Sequence, residues 1–382
     1  MPNTGLADLS NATLVFAIVL YALAMLAYAC EFAFGKRQAV AATAVRREPE
    51  LVAAGVSAGV RTGVGAGHAF PADPGDPSEL ADLASSTGES DAAAGDGLSA
   101  EGGQAAGRTT RVLPEPAPLT ERTSPWPQGT WLRSAFVLTC AGLVLHIASV
   151  ASRGLSEHRV PWGNMYEFIA AITCAAVLVF VLAAVRFRAY YLGLFILLTV
   201  VLALAVDVVV IYTPAGSLVP ALQSYWIAIH VTAMIIAIGT YILGAVTTVL
   251  YLVVDRHERR VAAGQASAAA GILERLPGSD VLDKLAYRAI LFAFPAWTFA
   301  VIAGAIWADH AWGRYWGWDP KETWSFITWL VYAAFLHARA TAGWRGRRAA
   351  AIQMVGFACL MFNLVGVNLW VHGLHSYAGI SG

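Results

Sequence analysis

Eight runs of about 20 apolar residues constrain this chain more than any other feature of its sequence. A helix of that length crosses the ~30 Å hydrocarbon core of a bilayer and satisfies its own backbone hydrogen bonds there. The composition agrees, since 58% of the 382 residues are hydrophobic and only 13% are charged, and it excludes an ordinary soluble domain. We therefore predict an all-α polytopic membrane protein, a bundle of about eight transmembrane helices. The predicted helices occupy 13–34, 131–151, 166–186, 190–211, 225–253, 285–306, 321–343 and 349–371.

The basic residues give the predicted helices an orientation. Cytoplasmic loops of membrane proteins carry an excess of Lys and Arg. With the N-terminus placed outside, only four of the 25 Lys and Arg residues fall on the outer side. These four are Arg153, Arg159, Arg314 and Lys321. Both termini are therefore predicted to be extracytoplasmic, which requires an even number of spans.

A long polar segment interrupts the apolar pattern after the first helix. Residues 38–128 contain twelve acidic residues, are rich in Ala, Gly, Ser and Pro, and have few aromatic residues. Such a segment cannot bury enough apolar surface to offset the entropy of ordering it. We expect a first transmembrane helix within 1–37, a disordered cytoplasmic insert at 38–128 and a seven-helix domain at 129–382. A tolerated linker and a binding segment both remain open for the insert.

Charge and cysteine content exclude several functions. The 25 acidic and 25 basic residues balance, so no basic excess is available for nucleic acid. Cys30, Cys140, Cys174 and Cys359 each lie inside an apolar run and form no C-x-x-C pattern. The sequence therefore predicts no disulfide framework, zinc site or covalent haem attachment. It also offers no Ser-His-Asp, Cys-His or paired-carboxylate set at a sensible depth, so we assign no catalytic residue.

Tryptophan is concentrated in one predicted outer loop, residues 307–324. Six of the 13 Trp residues lie between residues 307 and 329. An aromatic belt at the membrane interface explains one or two Trp residues per helix end, but not this density. Trp faces separated by Gly suit a large, flat, apolar ligand that approaches the backbone closely. The loop therefore predicts a binding platform on the outer side.

Three polar residues accompany this platform. Arg314 and Lys321 could pair with carboxylates of the ligand. Asp319, followed by Pro, is typical of a helix N-cap before the seventh helix. A capping role and a ligand role for Asp319 both remain open.

Histidines provide candidate metal ligands. His230 lies about one and a half turns into the fifth predicted helix, and His375 follows the eighth, so both share the outer side with the Trp loop. A lone membrane histidine is usually a packed or hydrogen-bonding residue, but imidazole is also a common ligand of haem iron. Two histidines beside a Trp platform predict an axial pair. His337 lies ~27 Å beyond Asp319 by helical rise, and an ionisable residue at that depth is a functional candidate.

The segment W-G-x-x-W-x-W-D-x-x-E, from Trp312 to Glu322, resembles the WWD signature of the haem-handling protein family. The resemblance covers about 131–382, is very specific around 307–339 and 363–379, and is strongest to the CcsA/ResC-type cytochrome c biogenesis proteins of system II. It implies that one external haem b is held by axial histidines, and that an intramembrane haem is held by a further histidine and by a ligand from a partner subunit. The implied site residues are Trp312, Trp316, Trp318 and Asp319 around the external haem, His230 and His375 on its iron, and His337 on the inner haem.

The resemblance also implies an activity and partners. The chain would carry haem to the outer face of the plasma membrane and present it for thioether attachment to the C-x-x-C-H motif of apocytochrome c. It would act as a subunit of a synthetase complex, with a ResB-type membrane partner, apocytochrome c, a thiol-reducing protein and membrane lipid. A haem exporter or relay without ligation activity, and an unrelated membrane transporter, are the alternatives.

Three further polar residues lie near the outer ends of predicted helices. Glu167 suits the first turn of a helix electrostatically. Asp207, inside an apolar run, could hydrogen-bond a Trp residue or a ligand histidine. His146 is a possible additional polar contact.

Overall fold

The computed structural model describes residues 3–34, 127, 129–216, 218, 220–265, 273, 275–371 and 373–375. Within these ranges the chain forms helices and connecting turns, and no strand is present. The predicted all-α polytopic class is therefore confirmed. The predicted insert, 38–128, lies outside the described residues except at residue 127.

Nine α-helices are present in the described part of the chain. They are α1 (Thr4–Phe34), α2 (Thr130–Glu157), α3 (Met165–Phe187), α4 (Gly193–Val206), α5 (Tyr225–Ala262), α6 (Ser279–Trp312), α7 (Pro320–Ala340), α8 (Arg347–Met361) and α9 (Val367–Trp370). Seven helical stretches of the described chain are long and apolar enough to cross a membrane. The helix that falls short is α7, which has 21 residues but carries Glu322 in its first turn and His337 and Arg339 in its last turn.

Four helices extend well beyond the predicted bounds: α1 begins at Thr4 instead of 13, α2 ends at Glu157 instead of 151, and α5 and α6 are the longest. α5 has 38 residues and α6 has 34 residues, more than the ~20 that a bilayer requires. The sequence predicts a cytoplasmic loop at 255–284, and its basic start, from Asp255 to Arg260, predicts a short interfacial helix there. That expectation is wrong for residues 255–262, which continue α5, and for residues 279–284, which begin α6. The polar turns simply prolong the helices beyond their apolar spans.

Local sequence signals explain several helix ends. Asn164 caps α3 by accepting a hydrogen bond from the Glu167 N–H at 2.9 Å, and Ser224 caps α5 in the same way through Trp226. These are the short polar residues that favour the N-cap. α6 ends at Gly313, whose φ of 69° is the left-handed conformation that suits Gly at a helix C-terminus.

Two helices end in π turns. Residues Asp207–Ile211 follow α4, and residues Phe362–Gly366 separate α8 from α9. A π turn shifts the backbone hydrogen-bond register, and such turns frequently occur at functional sites. The second of them lies beside the cavity described below.

The buried side chains form two main clusters. The first is centred on α1, α2, α3 and α4, around large residues such as Tyr21, Tyr28 and Phe180, and also includes residues of α5, α6 and α8. The second joins α5, α6, α7 and α8, with one face of α3, around Tyr241 and Trp297. α1 packs mainly on α2, and α5 mainly on α6, so two helical groups meet along α3.

Candidate functional site

A cavity with a volume of about 1130 Å³, part of it open to solvent, lies among α3, α5, α6, α7 and the α8–α9 segment. Trp and other apolar side chains make up most of its wall. Of the seven predicted site residues, the cavity is lined by His230, His375, Trp312 and Trp316. Trp318, Asp319 and His337 are not part of its lining.

His230 points from the second turn of α5 towards α6. Its Nδ1 donates a hydrogen bond to the Ala300 carbonyl oxygen at 2.8 Å, which leaves Nε2 as the ring nitrogen able to bind a metal. The ring is nearly parallel to that of Trp307, with 6.1 Å between centroids. Gly304 makes this approach possible, because a Cβ there would lie 2.7 Å from His230 Nδ1.

His375 reaches the same place from the turn after α9. Its Nδ1 donates to Asp319 Oδ2 at 2.8 Å. The Asp319 carboxylate therefore orients the His375 ring, as the Ala300 carbonyl orients the His230 ring. The ring centroid lies 5.8 Å from that of Trp307 and 5.0 Å from that of Trp312. Two histidines that are far apart in sequence therefore contact the same indole.

Asp319 has the capping role that its sequence context left open, and it also contacts His375. It caps α7 by accepting from the Lys321 N–H at 3.2 Å, in a reciprocal capping box with Glu322. It also accepts hydrogen bonds from His375 and from the Leu374 N–H, the latter at 2.7 Å. Burial opposes ionisation of this carboxyl, but these hydrogen bonds outweigh it and hold the pKa of Asp319 below its usual value.

Trp307 was not singled out among the predicted site residues. It is 2% exposed and lies at the edge of Trp312, with 4.8 Å between ring centroids. Its position at the start of the Trp-rich segment was the one feature of the sequence that could have indicated a place in the site. Its contact with both histidines depends on tertiary packing and could not be read from spacing.

The Trp loop is held by Glu322. This carboxylate pairs with Arg314 at 3.2 Å and accepts from the Gly317 N–H at 2.8 Å. Arg314, predicted to face a ligand carboxylate, is therefore paired within the loop. Lys321, the other predicted partner, lines the cavity.

Trp318 faces away from the cavity. Its backbone has a φ of 59°, rare for a residue other than Gly, and its side chain is 66% exposed. The ring meets Trp316 edge-to-face, with 5.7 Å between centroids. Trp318 therefore extends the aromatic surface outward from the cavity.

The opposite wall is held by a buried ion-pair network. Glu167 pairs with Arg153 at 3.1 Å and with Arg159 at 2.7 Å. It also accepts from the Gly163 N–H at 2.9 Å, beside Trp162, which lines the cavity. Glu167 thus fixes the backbone of this wall and is itself absent from the lining.

Asp207 and His146 lie away from the cavity. Asp207 is fully buried, and neither carboxylate oxygen has a hydrogen-bond partner among the described residues. The suggested bond to a Trp residue or a ligand histidine is therefore not formed. His146 is also fully buried, and its Nδ1 lies 3.4 Å from the Tyr21 hydroxyl.

His337 lies in the last turn of α7, far along the helix from Asp319. Its side chain is exposed. Nearby, Arg339 forms a two-point ion pair with Asp283, at 2.8 and 2.9 Å. The structure therefore brings His230 and His375 together and keeps His337 apart from them.

Comparisons with known proteins find relatives of this chain. The family model described as cytochrome C assembly protein matches residues 162–375, which include the whole cavity wall. The chain is 35% identical over 261 residues to the cytochrome c biogenesis protein CcsA of Guillardia theta, covering 64% of this chain and 84% of that protein. It is 34% identical over 301 residues to CcsA of Gloeobacter violaceus, covering 66% of this chain and 87% of that protein. With CcsA of Synechococcus elongatus it shares 41% identity over 198 residues, covering 43% of this chain and 61% of that protein.

Proposed function

The chain belongs to the cytochrome c assembly protein family as a CcsA-type protein, and from this premise we propose that it holds haem b at the outer membrane face for attachment to apocytochrome c. His230 and His375 bind the iron from opposite sides. Trp307, Trp312 and Trp316 provide the aromatic wall around the macrocycle, with Asp319 acting through His375. A role in cytochrome c biogenesis follows from the family; the ligand set is the proposal.

The observation that carries this proposal is the meeting of two imidazoles at one indole. Each histidine uses Nδ1 for a hydrogen bond within the protein, and such bonds fix the tautomer and orientation of histidines that bind metals. The lining that the structure describes is mostly apolar, and its carboxylate, Glu322, is paired with Arg314. Bis-imidazole coordination suits haem iron.

Attachment needs little from the protein beyond placement. Each cysteine thiol of the C-x-x-C-H motif adds across a vinyl group, so that a C–S bond forms, the vinyl double bond becomes single and the thiol hydrogen goes to the terminal carbon. The incoming histidine of the motif replaces one axial histidine. Holding the reactants together accounts for the rate gain, and no catalytic residue is assigned.

His337 is the ligand of a second haem on the route from the cytoplasm. Its exposure near the end of α7 leaves it accessible to another subunit, which supplies the opposing ligand. An ionisable residue at that depth is costly unless a partner or ligand covers it. The partner is a ResB-type membrane protein.

The remaining features complete the proposed assembly. A thiol-reducing protein keeps the apocytochrome cysteines reduced. Residues 38–128 form a cytoplasmic linker, both termini are extracytoplasmic, and the membrane is the plasma membrane. The domain division at 1–37, 38–128 and 129–382 belongs to the same proposal.

Co-expression in cells without their own cytochrome c maturation pathway tests this function. Wild type with its ResB-type partner and an apocytochrome should give covalently attached haem. His230→Ala and His375→Ala should each reduce it at least tenfold, whereas His310→Ala, which removes an exposed histidine of α6, should not. Haem bound by the wild type without attachment to the client would identify a relay, and contradict the synthetase role.

A further inference from the structure

A polar patch interrupts the otherwise apolar cavity wall. It consists of Lys321, Ser325 and Asn363, all of which line the cavity. Lys321 Nζ donates to the Asn363 carbonyl oxygen at 2.9 Å. Asn363 Nδ2 donates to Ser325 Oγ at 3.0 Å. The Asn363 carbonyl lies in the π turn Phe362–Gly366, so the irregular backbone there offers an oxygen to the lysine.

Lys321 brings a positive charge to the cavity wall with donors to spare. An ammonium group has three donors, and Lys321 forms no ion pair within 4 Å with any residue that the structure describes. Glu322 is paired with Arg314, whereas Asp319 accepts a hydrogen bond from His375 and attracts Lys321 at longer range. The lysine is half-buried, and a partly buried cation gains from a directly hydrogen-bonded counter-charge. A ligand that supplies a carboxylate would provide that contact.

Asn363 provides a second indication that an anionic ligand binds at this patch. It is 6% exposed, and its Oδ1 has no hydrogen-bond partner among the residues that the structure describes. A buried amide with one unused end is suited to a ligand contact. Rotation of the amide turns the NH₂ group towards an anion, and Ser325 Oγ can then donate to the amide oxygen in place of the Lys321 carbonyl oxygen, to which it now donates at 2.7 Å.

The depth of the patch sets it apart from the iron site. Ser325 is about 9 Å along α7 from the N-cap Asp319, at 1.5 Å per residue, and Asp319 contacts His375. Asn363 is about 10 Å before the end of α9 by the same rise. An anion at this patch therefore lies further into the helical bundle than the two histidines and the Trp loop.

We propose that Lys321, with Asn363 and Ser325, binds a propionate of haem and so turns the opposite, vinyl-bearing edge of the macrocycle towards the mouth of the cavity. Propionates and vinyl groups lie on opposite edges of the porphyrin, so fixing one edge inside the bundle directs the other outward. The thiols of a C-x-x-C-H segment arriving from outside then meet the vinyl carbons. This inference rests on the proposed function, and it adds the orientation of the bound haem.

The test compares two iron porphyrins that differ only at the propionates. Iron mesoporphyrin has no vinyl groups and cannot be attached, and its dimethyl ester has no anionic carboxylate. Each is titrated into the purified complex of this chain with its membrane partner. The Soret band reports affinity, and the visible bands report bis-histidine coordination.

The wild type should bind the free acid at least about tenfold more tightly than the diester, the usual strength of a charged hydrogen bond. Lys321→Met should lose most of this preference while binding the diester as the wild type does, which also shows that the variant is folded. Lys284→Met, which removes an exposed lysine of α6, should keep the preference. Lys321→Met with an undiminished preference would overturn the propionate site.

The two proposals fail in different ways. If neither porphyrin gives a bis-histidine spectrum in the wild type, the proposed function fails, and the orientation of haem fails with it. If both porphyrins give that spectrum, and Lys321→Met discriminates between them as the wild type does, only the propionate site is wrong.

Discussion

His146 in α2 and His230 in α5 show how differently the two helical groups use the same residue. Both side chains lie inside apolar helices near the predicted outer face, His230 as a predicted axial ligand and His146 as a possible polar contact. His146 is fully buried between helices, with its Nδ1 3.4 Å from the Tyr21 hydroxyl. His230 is oriented by the Ala300 carbonyl and lines a cavity. The comparison teaches that a cavity beside the ring, more than its depth in a helix, separates a candidate ligand histidine from a packed one.

The same contrast holds for the acidic residues. In the group formed by α1 to α4, Glu167 is used for structure, through two buried arginines. In the group formed by α5 to α9, Asp319 is used to orient a histidine at the cavity. Changes in the first group should therefore alter stability, and changes in the second should alter haem binding.

The largest expected effect is on stability in the first group. Glu167→Ala leaves Arg153 and Arg159 buried without a counter-charge, which should cost about 3–5 kcal/mol. Thermal unfolding of the purified protein measures this. The fraction that remains folded should show the wild-type haem spectrum. Loss of haem without a change in melting temperature would instead place Glu167 in the haem site.

Asp319→Ala should have the next largest effect, and mainly on haem. Loss of an outer hydrogen-bond partner of a metal-bound histidine typically lowers affinity 10–100-fold, and loss of the cap adds about 1 kcal/mol of destabilisation. Asp319→Asn separates the two roles, since its side-chain oxygen can still cap α7 but carries no charge. Haem titration and thermal unfolding should show weaker binding with near-normal stability for Asp319→Asn. If Asp319→Ala and Asp319→Asn lose haem affinity and stability equally, Asp319 acts only as the N-cap of α7.

Gly304→Ala tests the close approach of α6 to His230. The added Cβ would lie 2.7 Å from the imidazole, and overpacking of this kind costs about 1–3 kcal/mol. The ring must shift, so haem retained after gel filtration should fall about tenfold. Gly5→Ala is the matched control, because the nearest atom to its Cβ is the Asn3 side chain at 3.4 Å. Unchanged haem retention in Gly304→Ala would show that the ring position is not critical.

The smallest effect is expected at His146. Its Nε2 forms no hydrogen bond of standard geometry with the residues that the structure describes, so His146→Leu removes a polar group that contributes little. The free energy of unfolding should change by no more than about 1 kcal/mol, and haem content should stay at the wild-type level. A loss of bound haem, measured as pyridine haemochrome per protein, would contradict the proposed difference between His146 and His230.

Hydropathy and charge were sufficient to predict the helices, because a bilayer restricts spanning segments to apolar helices of nearly constant length. They did not predict how far α5 and α6 continue, since those extra turns are polar. The relation of Asp319 to His375 was equally hidden, because it joins residues far apart in sequence. The outward position of Trp318 follows from a positive φ, and the contact of Lys321 follows from a π turn. No residue pattern predicts the positive φ of Trp318 or the π turn.

The axial pair is the central claim, and electron paramagnetic resonance of the ferric haem complex tests it most directly. The wild type should give a low-spin signal of bis-imidazole coordination. His230→Gly and His375→Gly should each convert it to a high-spin or weakened signal, and added imidazole should restore the low-spin form. A wild type without a low-spin bis-imidazole signal, or a glycine variant that keeps it unchanged, would contradict the account.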